Sequence, residues 1–103
     1  MQAHAEELVD RYGIGWWIIK PHYGGRAFKK IWKIETPAIK GPRSYATVLH
    51  EIGHLVGPYQ NVYRYRTMIH ELGAWKWARR NALIWSPNME RHAQECLNWL
   101  SIH

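Results

Sequence analysis

Between Pro42 and Gly57-Pro58 lies the stretch that most constrains this chain. Proline suits the first turn of a helix, where its missing N–H has no partner to lose. A Gly-Pro pair stops a helix. Val48, Leu49, Ile52, Leu55 and Val56 give this helix an apolar face to bury. Set among them are His50, Glu51 and His54. Residues i and i+4 of a helix stand one above the other on the same face. His50 and His54 can therefore aim ring nitrogens at one ion, at about 2.0–2.1 Å from each. Glu51 is turned by about 100° around the axis. It is badly placed as a third ligand, but it can reach a water held at the ion and act as general base. Gly53 costs a helix about 1 kcal/mol relative to Ala, so its presence predicts a close neighbour there.

Seven histidines among 103 residues make the pattern weaker than it looks. Chance alone gives a His-Glu-x-x-His match in roughly one shuffled chain in thirty. The flanks answer this, because an apolar face packs the histidines onto a rigid element. The length allows one small domain, residues 1–103. Seven Trp and six Tyr predict an aromatic core, and large rings bury much area per residue. The single cysteine, Cys96, excludes an internal disulfide and a cysteine-based metal site. The N-terminal segment is acidic and has no signal-like apolar run. No stretch approaches the roughly 18 apolar residues of a membrane span. The expectation is a cytoplasmic protein.

The remaining elements follow from period and punctuation. Ala5, Leu8, Val9 and Tyr12 recur at helical spacing, so residues 3–12 form a helix ended by Gly13 and Gly15. Trp16-Trp17-Ile18-Ile19 reads as a strand stopped by Pro21. Tyr23-Gly24-Gly25-Arg26 reads as a turn, and Ala27–Thr36 as a second, lysine-rich strand on an exposed edge, making a β-hairpin. Tyr59–Arg66 has no clear period and reads as a loop. Thr67 is the expected cap of a helix reaching Ile84, and Asn88 of a last helix reaching Leu100. Together these predict an α+β fold. A short antiparallel sheet or hairpin packs on the helix of His50, with a second helix beside it and helices at both ends.

That second helix carries the stripe Met68, Glu71, Trp75, Ala78 and Ala82. An unpaired carboxylate on an apolar stripe costs several kcal/mol. A metal ion shared with His50 and His54 removes that cost, and a catalytic zinc usually takes three protein ligands. An arginine such as Arg66 or Arg79 is the other partner that could serve. His70 is adjacent in sequence but turned away from the stripe.

His50-Glu51-x-x-His54 followed by Glu71-x-x-Ala74-Trp75-x-x-Ala78 resembles the gluzincin group of zinc metallopeptidases. More narrowly, residues 28–83 resemble small phage-type and ImmA/IrrE-like domains and the minigluzincins. The resemblance implies a zincin-like fold, Zn²⁺ held by His50, His54 and Glu71, and Glu51 as the base that activates water. Some members use a histidine as third ligand, which keeps His70 open as an alternative. The separation of His54 from Glu71 is short beside larger gluzincins. His50-Glu51-x-x-His54-x-x-Gly57 also begins the metzincin pattern, but Gln60 stands where that pattern needs histidine.

The function expected is therefore hydrolysis of peptide bonds in a peptide or protein substrate. The oxyanion is stabilised by the metal and by one of Tyr45, Tyr59, Tyr63, Arg66 or His92. Net charge is +6, and half of the fourteen basic residues lie between Lys20 and Arg43. On a strand that accepts an extended peptide, these charges favour acidic substrate segments. Interleaved with Tyr23, Phe28 and Trp32, they also fit a second reading: a basic, aromatic hairpin (residues 20–43) that binds nucleic acid, with a structural or regulatory zinc. A third is a zincin-like binding domain without activity.

Overall fold

The structure is a computed structural model that describes residues 1–21, 24–60 and 66–102. Four helices and a three-stranded sheet make an α+β fold among these residues. They are α1 (Gln2–Tyr12), β1 (Gly15–Ile19), β2 (Arg26–Phe28), β3 (Lys33–Pro37), α2 (Pro42–Val56), α3 (Arg66–Asn81) and α4 (Pro87–Ile102). No helix among the described residues is long and apolar enough to cross a membrane.

α2 has the boundaries that its proline and its Gly-Pro pair predict. At its start the Ser44 hydroxyl oxygen accepts the N–H groups of Lys40 (2.7 Å) and Gly41 (3.1 Å). Its apolar face is the centre of the core: Val48, Leu49 and Ile52 are fully buried, together with Leu8 of α1, Ile34 of β3, Trp75 of α3 and Met89 of α4. α2 packs most extensively on α3. The close neighbour predicted at Gly53 is the backbone of α3: a Cβ there would stand 2.5 Å from the Ala74 carbonyl oxygen.

The sheet departs from the expected hairpin. Its order is β1-β3-β2, with β3 parallel to β1 and antiparallel to β2. The single strand expected over 27–36 is two strands joined by a turn at residues 29–32. The cause is Trp32, which takes a left-handed backbone (φ 52°). Its indole N–H donates to the Tyr12 carbonyl (2.7 Å), and its own carbonyl accepts the Gly15 N–H (3.0 Å). The reversal is thus set by contacts with the end of α1, and the glycines at 24 and 25 lead into β2 instead. The lysine-rich strand is also not simply an edge. β3 is central, where Ile34 and Thr36 are buried and Lys33 pairs with Glu35 across 3.1 Å. β2 is the edge.

Two helix starts also differ. Thr67 lies inside α3, which begins at Arg66. Ser86, not Asn88, caps α4: its hydroxyl accepts the Met89 N–H (3.3 Å), with Pro87 in the first turn. α3 ends at Asn81, before Ile84, because the Leu83 N–H donates to the buried Tyr45 hydroxyl (3.1 Å) instead of continuing the helix. Of the loop expected at 59–66, residues 61–65 lie outside the described residues, as does Tyr23.

Two consequences can be measured. Gly53→Ala gains helix propensity of about 1 kcal/mol, but its methyl meets a backbone atom that cannot move aside. Overpacking of this kind costs typically 1–3 kcal/mol, so the urea midpoint should fall with the slope unchanged. The second concerns acid. Glu90 accepts from Arg79 in two hydrogen bonds (2.7 and 2.9 Å), from Trp85 (2.8 Å) and from Gln94 (2.8 Å). The bonds from Arg79 hold its carboxyl down to about 2, from an ordinary 4.5, against a smaller opposing effect of burial. A depressed carboxylate stabilises the fold above its ordinary pKa and loses that contribution as pH falls through the folded value. Glu90→Gln should therefore lower Tm at pH 7 and flatten the loss of Tm between pH 4.5 and 2.

Candidate metal centre

The helical spacing of α2 places His50 and His54 side by side, their ring centroids 4.5 Å apart. The close α2–α3 contact brings Glu71 against both. His50 Nε2 lies 2.5 Å from Glu71 Oε2, and His54 Nε2 lies 3.0 Å from Glu71 Oε1. Two ligands about 2.0–2.1 Å from one tetrahedral ion stand about 3.3 Å apart. The three donors are thus gathered to the separation that one shared ion requires, with a small outward movement. They are two imidazoles and one carboxylate, the donor types zinc takes.

Glu51 occupies a different edge of His50. Its Oε2 lies 3.2 Å from His50 Nδ1, on the ring edge opposite Glu71. A carboxylate oxygen of Glu51 and one nitrogen each of His50 and His54 lie within 4.8 Å of one another. Glu51 therefore belongs to the same cluster but faces the far nitrogen of His50, while Glu71 faces both Nε2 atoms. That placement sets Glu51 apart from the contacts that Glu71 makes with the two Nε2 atoms. Glu51 is buried (5% exposed), and the chain passes close over it at Gly25, where a Cβ would come within 2.6 Å of its carboxylate oxygen.

The electrostatics follow from burial and pairing. Burial pushes His50 down, since it disfavours the imidazolium. Hydrogen bonds to the Glu51 and Glu71 carboxylates outweigh that and raise it to about 9. Burial pushes Glu71 up, but the hydrogen bonds from His50 and His54 hold it near 2. Glu71 is thus a carboxylate paired with the raised imidazole of His50. Of the two arginines proposed for that role, Arg79 pairs with Glu90 instead, and the Arg66 side chain lies outside the described residues.

Several neighbours were not legible as site residues. The Trp75 indole stacks on His50 (4.2 Å between centroids, 18° between planes) and fixes the plane of that ring. Gln60 Oε1 lies 3.2 Å from His54 Nδ1. Gln60 drew notice in the sequence only as the residue that breaks the metzincin pattern, and Gly25 only as a turn residue. A glycine flanking an edge strand near a buried carboxylate is a signal only once the sheet order is known.

A groove of about 530 Å³ opens over the cluster, lined by Gly25, β2, His50, Glu51, His54 and Glu71, with Lys29, Gln60 and His70 at its rim. His70 thus borders the groove but does not join the three converging donors. A second depression of about 450 Å³ reaches His50 and Glu71 from the side of α4 and is lined by His92, Cys96, Trp99 and Leu100. Of the oxyanion candidates, His92 lines this second depression and is held between Thr47 (3.3 Å) and Arg43 (3.2 Å). Tyr45 is buried in the core with its hydroxyl on His4 (2.6 Å) and Leu83. Tyr59 accepts from Lys76 (3.3 Å). Tyr63 lies outside the described residues.

Comparison with protein-family models, with curated proteins and with solved structures finds no match. The geometry of the site itself carries the functional argument.

The choice between Glu71 and His70 is open to direct titration. Glu71→Ala should weaken zinc binding about a hundredfold or more, since it removes a converging donor, whereas His70→Ala should leave it within a few-fold. Both variants are to be titrated against a competing chelator at one pH, because ligand protonation is coupled to affinity. Release of zinc by His70→Ala alone would reverse the assignment.

Proposed function

We propose that the chain is a zinc-dependent metallopeptidase with a zincin-like fold of the gluzincin type. The observation that carries this reading is the convergence of His50 Nε2, His54 Nε2 and both Glu71 carboxylate oxygens within 3.0 Å contacts. They meet under a groove that also holds a buried, separate carboxylate, Glu51. His50, His54 and Glu71 hold the ion. Zinc supplies a Lewis acid that polarises a carbonyl oxygen and makes water a nucleophile near neutral pH. Glu51 takes the proton from the attacking water and delivers it to the departing amine.

The groove explains how a peptide is held. Among the described residues β2 pairs only with β3, through one of its edges. β2 also lines the groove, so an extended substrate can add to its other edge as a further strand. Arg26 and Lys29 at that rim favour acidic substrate segments. The nucleic-acid reading has less support. Lys33 lies over the Trp17 and Phe28 rings and pairs with Glu35, Arg43 pairs with Glu95, and the Trp32 indole is tied to Tyr12. A retarded DNA band that weakens steeply with salt is the result that would favour it.

The test uses purified protein, its metal content and a quenched-fluorescence peptide library. The wild type should carry close to one zinc per chain, and His50→Ala/His54→Ala none. Glu51→Gln should retain the zinc and lose hydrolysis by a factor of about 10²–10⁴. Loss of metal from Glu51→Gln would instead place Glu51 among the ligands. A wild type that binds zinc and cleaves nothing would leave a binding domain.

A further inference from the structure

We infer that Gln60 is a positioning residue for the metal centre: it sets the tautomer of His54, so that Nε2 presents a lone pair to the ion. The inference rests on the reading of His50, His54 and Glu71 as metal ligands, and not on peptidase activity.

The argument starts from the Gln60 amide. Its Nε2 lies 3.0 Å from the Pro58 carbonyl oxygen and 2.8 Å from the His70 carbonyl oxygen. Backbone carbonyls only accept, so the end of the side chain facing them must be the NH₂ group. The other end, facing His54 Nδ1 at 3.2 Å, is therefore the carbonyl oxygen. An amide oxygen also only accepts, so Nδ1 of His54 must carry the proton. Nε2 faces the acceptor-only Glu71 carboxylate in the same way, so an ion bound there takes the place of the Nε2 proton while Nδ1 keeps its own, leaving the neutral imidazole that a metal ligand requires. Two carbonyls on different elements thus orient one amide, and the amide orients the ring.

The setting of Gln60 is itself built. Residues 58–60 form a turn in which Tyr59 takes a left-handed backbone (φ 69°), a conformation non-glycine residues rarely adopt. The turn sits against α3 at Gly73, where a Cβ would overlap the Pro58 carbonyl oxygen and come within 3.0 Å of Gln60 Nε2. A glycine in α3 therefore admits the carbonyl that fixes Gln60. His50 reaches the same result by another route, since its Nδ1 faces the acceptor-only Glu51 carboxylate. On that edge of His54, among the described residues, Gln60 stands in place of a carboxylate.

Partners of this kind on a ligating histidine are typically worth about 10–100-fold in metal affinity. The experiment measures zinc affinity by chelator competition for wild type, Gln60→Met and Gln60→Glu. Alongside it, ¹⁵N spectra of the ¹¹³Cd-loaded proteins identify the His54 nitrogen coupled to cadmium and the one bearing hydrogen. In the wild type, cadmium should couple to Nε2, and Nδ1 should show a protected proton. Gln60→Met should lose about 10–100-fold in zinc affinity, together with the protected Nδ1 proton. Gln60→Glu keeps an acceptor for Nδ1 but loses both donor bonds, so it should stay within several-fold of wild type and keep the signal. Wild-type affinity and an intact Nδ1 proton in Gln60→Met would overturn the inference. So would an equal loss in both variants, which would mean that Gln60 serves to hold the turn. If Gln60→Met does not fold, Gln60→Ala takes its place, with the same loss of affinity and of the Nδ1 proton expected and the same unchanged result overturning the inference. A wild type that binds neither zinc nor cadmium removes the metal reading and this inference together. Metal binding without cleavage removes only the peptidase reading.

Discussion

Everything at the site depends on how closely α2 and α3 approach. Helix axes are usually 8–10 Å apart, set by the side chains between them. Here the backbone of α3 at Ala74 lies directly against Gly53. Gly57, just after α2, lies equally close to Trp77, where a Cβ would meet its Cβ at 3.0 Å. Only at this spacing does Glu71, three residues before Ala74, reach both Nε2 atoms at once. The glycine that weakens α2 as an isolated helix is therefore what completes the donor set. Its propensity penalty of about 1 kcal/mol is of the order of, or smaller than, the cost of leaving the half-buried Glu71 carboxylate unpaired.

The rest of the core keeps that contact in register. Trp75 lies one turn after Glu71, fully buried among α2, α3 and α4, and stacks on His50. Rotating α3 by one residue would pull this ring out of the core as well as moving the carboxylate. The position of Glu71 is thus locked by the largest buried side chain in the domain. α4 closes the far side, anchored to α3 by Arg79 and Glu90 and to α2 by Arg43 and Glu95. The first pair is the stronger, since it is bidentate. The second is exposed and worth little.

How much of this could be read from the sequence varied with the range of the interaction. α2 was legible to the residue because Pro42 and Gly57-Pro58 act locally. Glu71 was legible because a carboxylate on an apolar stripe is a local contradiction that needs a partner, and Gly53 because a glycine inside a helix needs a neighbour. The sheet was not legible. Alternation over 27–36 hid a reversal whose cause, the bond from Trp32 to Tyr12, spans twenty residues, and no local pattern announces a parallel pairing of β1 with β3. The α4 cap was misplaced by two residues because Ser86 and Asn88 are equally good caps, and the choice is made by which one Pro87 follows. Gln60 was invisible because its bonds run to two backbone carbonyls and one ring nitrogen, none of which leaves a trace in residue type.

The short contacts among His50, His54 and Glu71 join three polar side chains from two helices. Packing holds the three together, with the raised imidazole of His50 balancing the charge of Glu71. Under the zinc reading proposed above, a metal ion entering here would meet groups that need only shift outward, not groups that must be ordered from solvent. The ordering free energy, on the order of 0.5–2 kcal/mol for each long side chain, is already met by packing. Each ligand is also held from behind by a different part of the chain: His50 by Glu51 and Trp75, His54 by the 58–60 turn, and Glu71 by the spacing of the helices. A perturbation of one support leaves the others standing. Loss of the α2–α3 contact removes all three at once, because the turn and Trp75 are both seated on α3.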